Sequence, residues 1–384
     1  MNQKIRNFLT SNEMIVVYII AGLAILIGSV NHAFNSISTV VNLARTMLVT
    51  LIFAMCEMLV IVSGGIDVSF PAIASLAMIA TGNIMLKNGL DNVPLAFLMG
   101  AVIGGALGTL NAVLIAVVKM PPLIATLGVS SMTSGATLAI FGAKILTVLP
   151  AKLDELYKVS LFTYTNPEGI TYSLTVLMLI PIGICLLMWF LLKYTMFGRG
   201  IYATGGDIRA ARIAGFNVTA IQFFVYIVSG ILSGIAGITY MILMRAADPS
   251  VLMGSEMMVI AAVVMGGTRI TGGHGTVLGT ILGVTLISLI KNRMKDFSTW
   301  YKIGHKLYSQ KKYEEAIYCY DKALEFNPKC TIALNYKGIA LYDQGKYQEA
   351  VICYDKALAI DPKYKNVISN RETALLSLKK FGNK

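Results

Sequence analysis

The sequence predicts an all-α protein in two parts, a polytopic transmembrane helix bundle over residues 1–294 and a short α-solenoid over residues 295–384. Three observations carry this prediction. Hydrophobic residues make up 56% of the 384 and mean hydropathy is +0.69, well above a typical soluble domain, so most of the chain has lipid as its solvent. Charge then divides the chain. Residues 1–294 and 295–384 each hold 16 Lys/Arg and 10 Asp/Glu, which makes the last part more than three times as densely charged. Inside that part, residues 297–330 and 331–364 repeat one another at an offset of 34, a period that stacked helix pairs produce.

In hydrocarbon every backbone polar group must be satisfied within the segment, so each apolar run is read as a helix. Runs long enough to cross about 30 Å lie at 14–30, 45–63, 68–86, 94–118, 172–193 and 220–244. Shorter or glycine-interrupted runs lie at 122–141, 255–267 and 275–290, giving about nine crossings. Gly100, Gly104 and Gly108, and again Gly230, Gly234 and Gly237, recur at helical spacing. Such positions let helices approach closely, so the spans pack on one another. The N-terminal tail lacks a small-residue cleavage site and precedes many spans, so it reads as a cytoplasmic tail, not a signal peptide. With Lys4 and Arg6 inside, counting spans places 194–219 in the cytoplasm and 142–171 outside.

Several function classes drop out. The net charge of +12 is shared equally by the two parts, so no nucleic-acid-binding stripe is indicated. Cys56, Cys185, Cys319, Cys330 and Cys353 show no CxxC or Cys/His spacing, which argues against a zinc site or a disulfide framework. His274 has no second ligand at metal spacing and reads as a loop residue. The glycine-rich stretches lack GxxxxGK[ST], and no nucleophile, base and oxyanion set is present, so neither ATP hydrolysis nor a bound metal or cofactor is expected of this chain. Asp67 follows Gly64 and Gly65 in SGGIDVSFP. A carboxylate beside flexible backbone and Pro71 marks a broken segment, read as lining a translocation path or a subunit contact, or as a cap on the next helix. Glu57 and Glu256, lone acids within spans or near span ends, read as paired or snorkelled structural groups.

Between two long apolar spans lies Thr195 to Phe216, TMFGRGIYATGGDIRAARIAGF, with Arg199, Arg209 and Arg212 in a chain otherwise short of charge. Asp207 at an N-cap, alanines at 210, 211 and 214, and Gly215 as a stop predict a short helix over 207–215 at the membrane surface. Small residues and arginines together form a loop built to be gripped by another protein.

Four stretches in order, GGIDVSF at 64–70, PPLIATLGVSSMTSG at 121–135, FGRGIYATGGDIRAARIAGF at 197–216 and SEMMVIAAVVMGGTRITGGHGTVLGT at 255–280, give residues 1–292 a resemblance. They are similar to the permease of a bacterial ABC importer of the class that serves ribose, other monosaccharides and autoinducer-2. The resemblance implies a type II importer fold in the cytoplasmic (inner) membrane, with a second permease copy, homo- or heterodimeric, two ATPase subunits that hold ATP and magnesium, and an extracytoplasmic solute-binding protein. It assigns the third stretch to the helix that docks in the ATPase, a role that falls here on Gly198, Arg199, Gly205, Gly206, Asp207, Arg209, Ala210, Ala211 and Gly215. Related permeases carry branched-chain amino acids or nucleosides. One departure stands out: the family adds a last apolar span after LGTILGVTLISLIKNRM, whereas this chain turns to KDFSTWYKIGHKL.

In the charged part, the pairs Gly304/Gly338, Leu307/Leu341, Tyr308/Tyr342, Tyr313/Tyr347, Ala316/Ala350, Tyr320/Tyr354, Ala323/Ala357 and Pro328/Pro362 match across the offset. This resembles the tetratricopeptide repeat (TPR), two helix pairs with a capping helix over 365–380. The tyrosines read as core and the lysines as a solvated face, with Asn335 lining a groove for an acidic peptide or protein. The expected function is a sugar-importer permease bearing a protein-interaction module. The alternatives are a membrane-anchored TPR scaffold or a fusion without transport activity.

Overall fold

The computed structural model describes residues 12–30, 37–165, 171–294, 297–326 and 329–381. Lys4, Arg6 and Pro328 lie outside them. The chain divides into two units, Met1–Leu289 and Ile290–Lys384.

The membrane unit is arranged round one helix. After α1 (Asn12–Val30) comes α2 (Ile37–Val62), in which every residue from Leu51 to Val62 is buried. Then follow α3 (Phe70–Lys87), α4 (Val93–Ala112) with a π-turn at Val113–Val117, and α5 (Pro122–Phe141). Beyond these lie α6 (Ala151–Lys158), the strands β1 (Ser160–Thr165) and β2 (Thr171–Thr175), α7 (Leu179–Tyr194), α8 (Met196–Gly206), α9 (Ile208–Ile213), α10 (Val218–Met244), α11 (Glu256–Met265) and α12 (Val277–Met294). Among the described residues six helices are long and apolar enough to cross a membrane, and three more are apolar but shorter, Glu13–Leu26, Glu256–Met265 and Val277–Ile290. One expectation changes. The run at 122–141 is an unbroken 20-residue helix, because Pro121 and Pro122 stand at its start, where a missing N–H is harmless.

Glycine sets the closest contact. On α4, Gly104 meets the Gly230 carbonyl of α10, Gly108 meets that of Tyr226, and Gly234 in turn meets that of Gly100. Gly237, one turn on, faces the Ala74 carbonyl of α3. Any side chain at these positions would enter backbone, so the two helices lie against each other main chain to main chain. Lipid offers no hydrophobic drive for helices to associate, and such close van der Waals packing takes its place.

Residues 142–171, expected to be loop, contain α6 and half of an antiparallel hairpin that pairs Tyr164 with Tyr172 and Thr165 with Thr171. Leu146 and Ala247 exchange both backbone hydrogen bonds, at 2.9 and 2.8 Å. Asp154 accepts from Arg245 Nε at 2.5 Å and pairs with Lys158 at 3.2 Å. Tyr157 lies between two guanidinium groups, Arg45 at 5.9 Å and Arg245 at 5.8 Å from its ring, and its hydroxyl accepts from Arg45 at 3.0 Å. Leu153 of α6 is also fully buried in the core, with Leu156 against it, so α6 is held by charge, cation–π contact and apolar burial together.

The second unit consists of α13 (Phe297–Ser309), α14 (Tyr313–Phe326), α15 (Thr331–Asp343), α16 (Tyr347–Ile360) and α17 (Lys365–Phe381). A Cβ on Gly304 would stand 2.8 Å from Tyr320 Cε1, and one on Gly338 2.5 Å from Tyr354 Cε1, so each glycine makes room for a tyrosine ring. Tyr320 and Tyr354 are buried, and Tyr308 and Tyr342 half-buried. The ion pair Lys337–Asp321, at 2.5 Å, recurs one repeat later as Arg371–Asp355. Thus α17 packs as the first helix of a further repeat. Asn335 is not a free groove residue. It is 5% exposed, and its Oδ1 accepts from Asn370 Nδ2 at 3.0 Å, a bond that spans adjacent helices and consumes the group expected to face a ligand.

Two predictions follow from the packing. Gly234→Leu should destabilise the purified protein by about 3 kcal/mol through overpacking against α4, while Gly128→Ala on α5, where a Cβ meets nothing within 4 Å, should be neutral or stabilising by up to about 1 kcal/mol; thermal unfolding in detergent compares them. The hydrogen bond from Arg245, with Lys158 beside it, holds the Asp154 carboxyl below the ordinary carboxylate range. Its contribution is therefore complete above about pH 4 and disappears as pH falls through the lower folded value. Proteolysis within 142–175 should be flat from pH 7 down to about 5 and rise below about 4, and Asp154→Asn should be cleaved alike throughout.

Candidate functional site: the exposed helix pair and its glycine seat

Three glycine pairs, from three of the four stretches singled out above, meet at the end of α2. The first is Gly64–Gly65, where the chain leaves α2 with Gly64 at φ +91. The second is Gly205–Gly206 at the end of α8. The third is Gly272–Gly273, at φ +86 and +71, in the turn between α11 and α12. A Cβ on Gly272 would fall 2.6 Å from the Gly205 oxygen and 2.9 Å from Gly64 Cα, and one on Gly273 2.9 Å from Gly206 Cα. Gly205 rests against the Val62 carbonyl. That same carbonyl accepts the Gly273 N–H at 2.9 Å, and the Tyr202 hydroxyl donates to the Gly275 carbonyl at 2.7 Å. At Gly205, Gly272 and Gly273 only hydrogen fits in the side-chain position, because a Cβ there would enter another segment's main chain.

From this seat α8 and α9 project. Lys193 lies 5.1 Å from the Trp189 ring and 5.4 Å from that of Tyr194, an aromatic and basic group of the sort that marks a membrane–water interface at the end of α7. Thr195 then caps α8 by accepting the Gly198 N–H at 3.0 Å, and Gly198 lies on the backbone of Leu191 and Leu192. Asp207 accepts the N–H groups of Arg209 at 2.7 Å and Ala210 at 3.0 Å, and Gly215 at φ +87 ends the element. The cap stands where the sequence placed it. What precedes it differs: 196–206, expected as loop, is a helix in its own right, because its glycines are placed for contact and not for flexibility. Residues 206–210 and 212–215 are exposed, Ala211 is buried, and Ile213 is 89% exposed. Arg199, also exposed, donates to the Met196 sulfur at 2.7 Å.

Asp67 lies elsewhere. It is 1% exposed, and its Oδ1 accepts the Ser69 N–H at 2.8 Å and the Ser69 hydroxyl at 2.6 Å, while Oδ2 accepts from Ser229 on α10 at 3.1 Å. Asn111 on α4 donates to the Ser69 oxygen at 2.8 Å, and the Asp67 N–H donates to Glu57 on α2 at 3.3 Å. A group so enclosed neither lines a path nor meets a second subunit, and it caps no helix, since α3 begins only at Phe70. It fastens the break between α2 and α3 to the surrounding helices. Thr126 on α5 completes the fastening, accepting the Val68 N–H and donating to the Ile66 carbonyl, both at 3.3 Å. Gly64 and Gly65, by contrast, do border a cavity of about 280 Å³, with Lys119, Ile208, Gln222 and Tyr226 on its other sides. The sequence reading missed Ser229, Asn111 and Tyr202, whose partners are distant in the chain. No group of three His, Cys, Asp or Glu suited to a metal ion occurs among the described residues.

Residues 39–318 match the profile of a family described as the permease component of the branched-chain amino acid transport system. The chain belongs to this permease family. Residues 301–365 match a tetratricopeptide repeat profile, so the two matches overlap over 301–318. The permease is 31% identical over 306 residues to the ribose import permease protein RbsC of Haemophilus influenzae, covering 79% of this chain and 91% of that one. It is 30% identical over 289 residues to the D-allose transport system permease protein AlsC of Escherichia coli, covering 74% and 85%. Over 267 residues it is 32% identical to the autoinducer 2 import system permease protein LsrC of Photorhabdus luminescens, covering 70% and 77%. The permease is thus a multi-pass protein of the inner membrane that also carries TPR helices.

Asp67→Leu should destabilise the permease by about 3 kcal/mol or more, because it strands two buried hydroxyls and an N–H. Asp67→Asn, still an acceptor, should lose less than half as much. Thermal unfolding in detergent distinguishes the two, and equal losses would assign the effect to shape and not to hydrogen bonding.

Proposed function

We propose that this chain is the membrane-spanning subunit of an ABC importer for a monosaccharide or sugar-like molecule of the ribose and autoinducer-2 class, worked by separate ATPase subunits. The observation that carries the reading is the exposed α9. Arg209, Arg212 and the almost bare Ile213 stand out from a helix end whose foot is pinned at Gly205. An apolar side chain flanked by guanidinium groups is suited to a pocket with acidic walls, and Ala210 and Ala211 keep the approach narrow. Force applied there reaches α2 directly through Gly205 and the Val62 carbonyl. The cavity bordered by Gly64 and Gly65 adjoins α9 at Ile208, so movement of α9 changes its walls.

In this reading transport is alternating access. The chain forms no covalent bond, and ATP and magnesium reside on the partner. A second permease copy supplies the other half of the pathway, and an extracytoplasmic solute-binding protein delivers the sugar. The names of the relatives, for ribose, D-allose and autoinducer 2, favour a hydroxylated small molecule over a branched-chain amino acid or nucleoside. The TPR unit, residues 295–384 as its charge delimits it, would engage a peptide or protein partner.

Arg209→Glu reverses charge at the grip and Gly206→Trp fills a position where a Cβ meets nothing within 4 Å. Either should reduce ATP-driven ribose uptake by about a hundredfold or more with the permease still present in the membrane at its usual level. Normal uptake in both variants removes α9 from the coupling role.

A further inference from the structure

Resting on that coupling role for α9, we infer that the ATPase subunit grips the permease at a second point, the tip of the turn between α11 and α12 formed by Arg269, Ile270 and His274. The turn is closed by hydrogen bonds from the Arg269 N–H to the His274 carbonyl at 3.0 Å and from the Gly272 N–H to the Arg269 carbonyl at 2.9 Å. Its tip is exposed, with Ile270 at 55%. Connecting two helices calls for the glycines of this turn. It does not call for an arginine and a bare isoleucine at its apex.

The tip is not an independent feature. Gly273 abuts Gly206, the residue directly before the Asp207 cap of α9, and Gly272 abuts Gly205. The Tyr202 hydroxyl bonds the Gly275 carbonyl. Backbone contact of this kind leaves no side chain to rearrange, so the turn and α9 present one surface with two apices of the same composition, Arg212–Ile213 and Arg269–Ile270. Its exposed cations are Arg209, Arg212 and Arg269. The carboxylate it contains, Asp207, is engaged with two backbone N–H groups. A partner matching both apices presents acidic side chains around two small apolar seats, and a seat for the first apex is what the coupling role already requires of the ATPase.

A two-point grip has a mechanical consequence. A single helix end can swivel under load, whereas two fixed points on one surface transmit rotation as well as thrust. The second point also leads to α2 by its own route, the Gly273 N–H on the Val62 carbonyl.

The test uses the full chain assembled in the membrane with its ATPase and binding protein. Arg269→Glu should lower both the ATPase subunit that co-purifies and ATP-driven ribose uptake by at least about tenfold, with the amount of permease in the membrane unchanged, and Arg269→Lys should retain most of both. A photo-crosslinking amino acid at Ile270 should capture the ATPase subunit. Normal uptake and co-purification in Arg269→Glu, with Arg209→Glu inactive, overturn the second grip and leave α9 in its role. Crosslinking at Ile270 to lipid alone overturns it equally. Normal uptake in both charge reversals removes the coupling role and this inference together.

Discussion

Main chain against main chain, with no side chain between, is the contact on which the membrane unit depends. Side chains packed against lipid gain nothing by moving from hydrocarbon to protein, so helices in a membrane associate through close van der Waals contact and a few buried polar bonds. This chain uses that contact twice. Along α4 and α10 it fixes two long spans by Gly100, Gly104 and Gly108 against Gly230 and Gly234. At the end of α2 it brings three separate segments together at Gly64, Gly205 and Gly272. The first gives the bundle its rigidity, and the second decides what that rigid body is attached to.

Buried polar groups make the second contact durable. A helix broken in a membrane leaves backbone N–H and C=O groups without partners, each of which costs several kcal/mol in hydrocarbon. Between α2 and α3 these are met by the side chains of Glu57, Asp67 and Thr126, while the Ser69 hydroxyl, to which Asn111 of α4 donates, and Ser229 of α10 hold Asp67 in turn through side-chain bonds. The break is therefore as firmly placed as a helix would be. In the proposed coupling role, flexibility next to glycine would blur a displacement arriving from α9, whereas a fastened break would pass it on to α2 and α3.

What the sequence made legible follows from the range of each interaction. The glycine ladder of α4 and α10 and the 34-residue repeat are periodic within one element or one unit, so spacing alone reveals them. The Asp207 cap and the Gly215 stop are local and were readable for the same reason. Asp67 was not: its decisive partner, Ser229, is 162 residues away, and a carboxylate near glycine and proline looks the same whether it lines a cavity or is enclosed. The helix α8 was hidden by composition, since MFGRGIYATGG has four glycines and glycine weakens helices in isolation. Tertiary contact needed those glycines at that face and overrode propensity. The hairpin and α6 were hidden by length, each being too short for a periodic signal. Asn335 was misplaced because its position in the repeat is shared by groove residues and by the ones that bond to the next helix, and Asn370, a residue beyond one full period, selects the second.

The proposed function separates force from selection. The exposed end of the bundle carries Arg209, Arg212 and Ile213, the features on which the proposed grip by a protein rests. The enclosed acids Glu57 and Asp67 are 0% and 1% exposed, so no substrate touches them without dismantling the break they secure. Under the proposed function, what remains for a sugar is the wall of the cavity, bordered by Gly64 and Gly65, to which Gln222, Tyr226 and Lys119 add a few polar groups. Walls of that type discriminate weakly, because discrimination among polyols requires a closely matched set of buried hydrogen bonds for each hydroxyl. Under the proposed function, relatives bearing names for ribose, allose and autoinducer 2 can then share about a third of their residues with one chain, because a bundle and a seat for an ATPase need not change with the cargo.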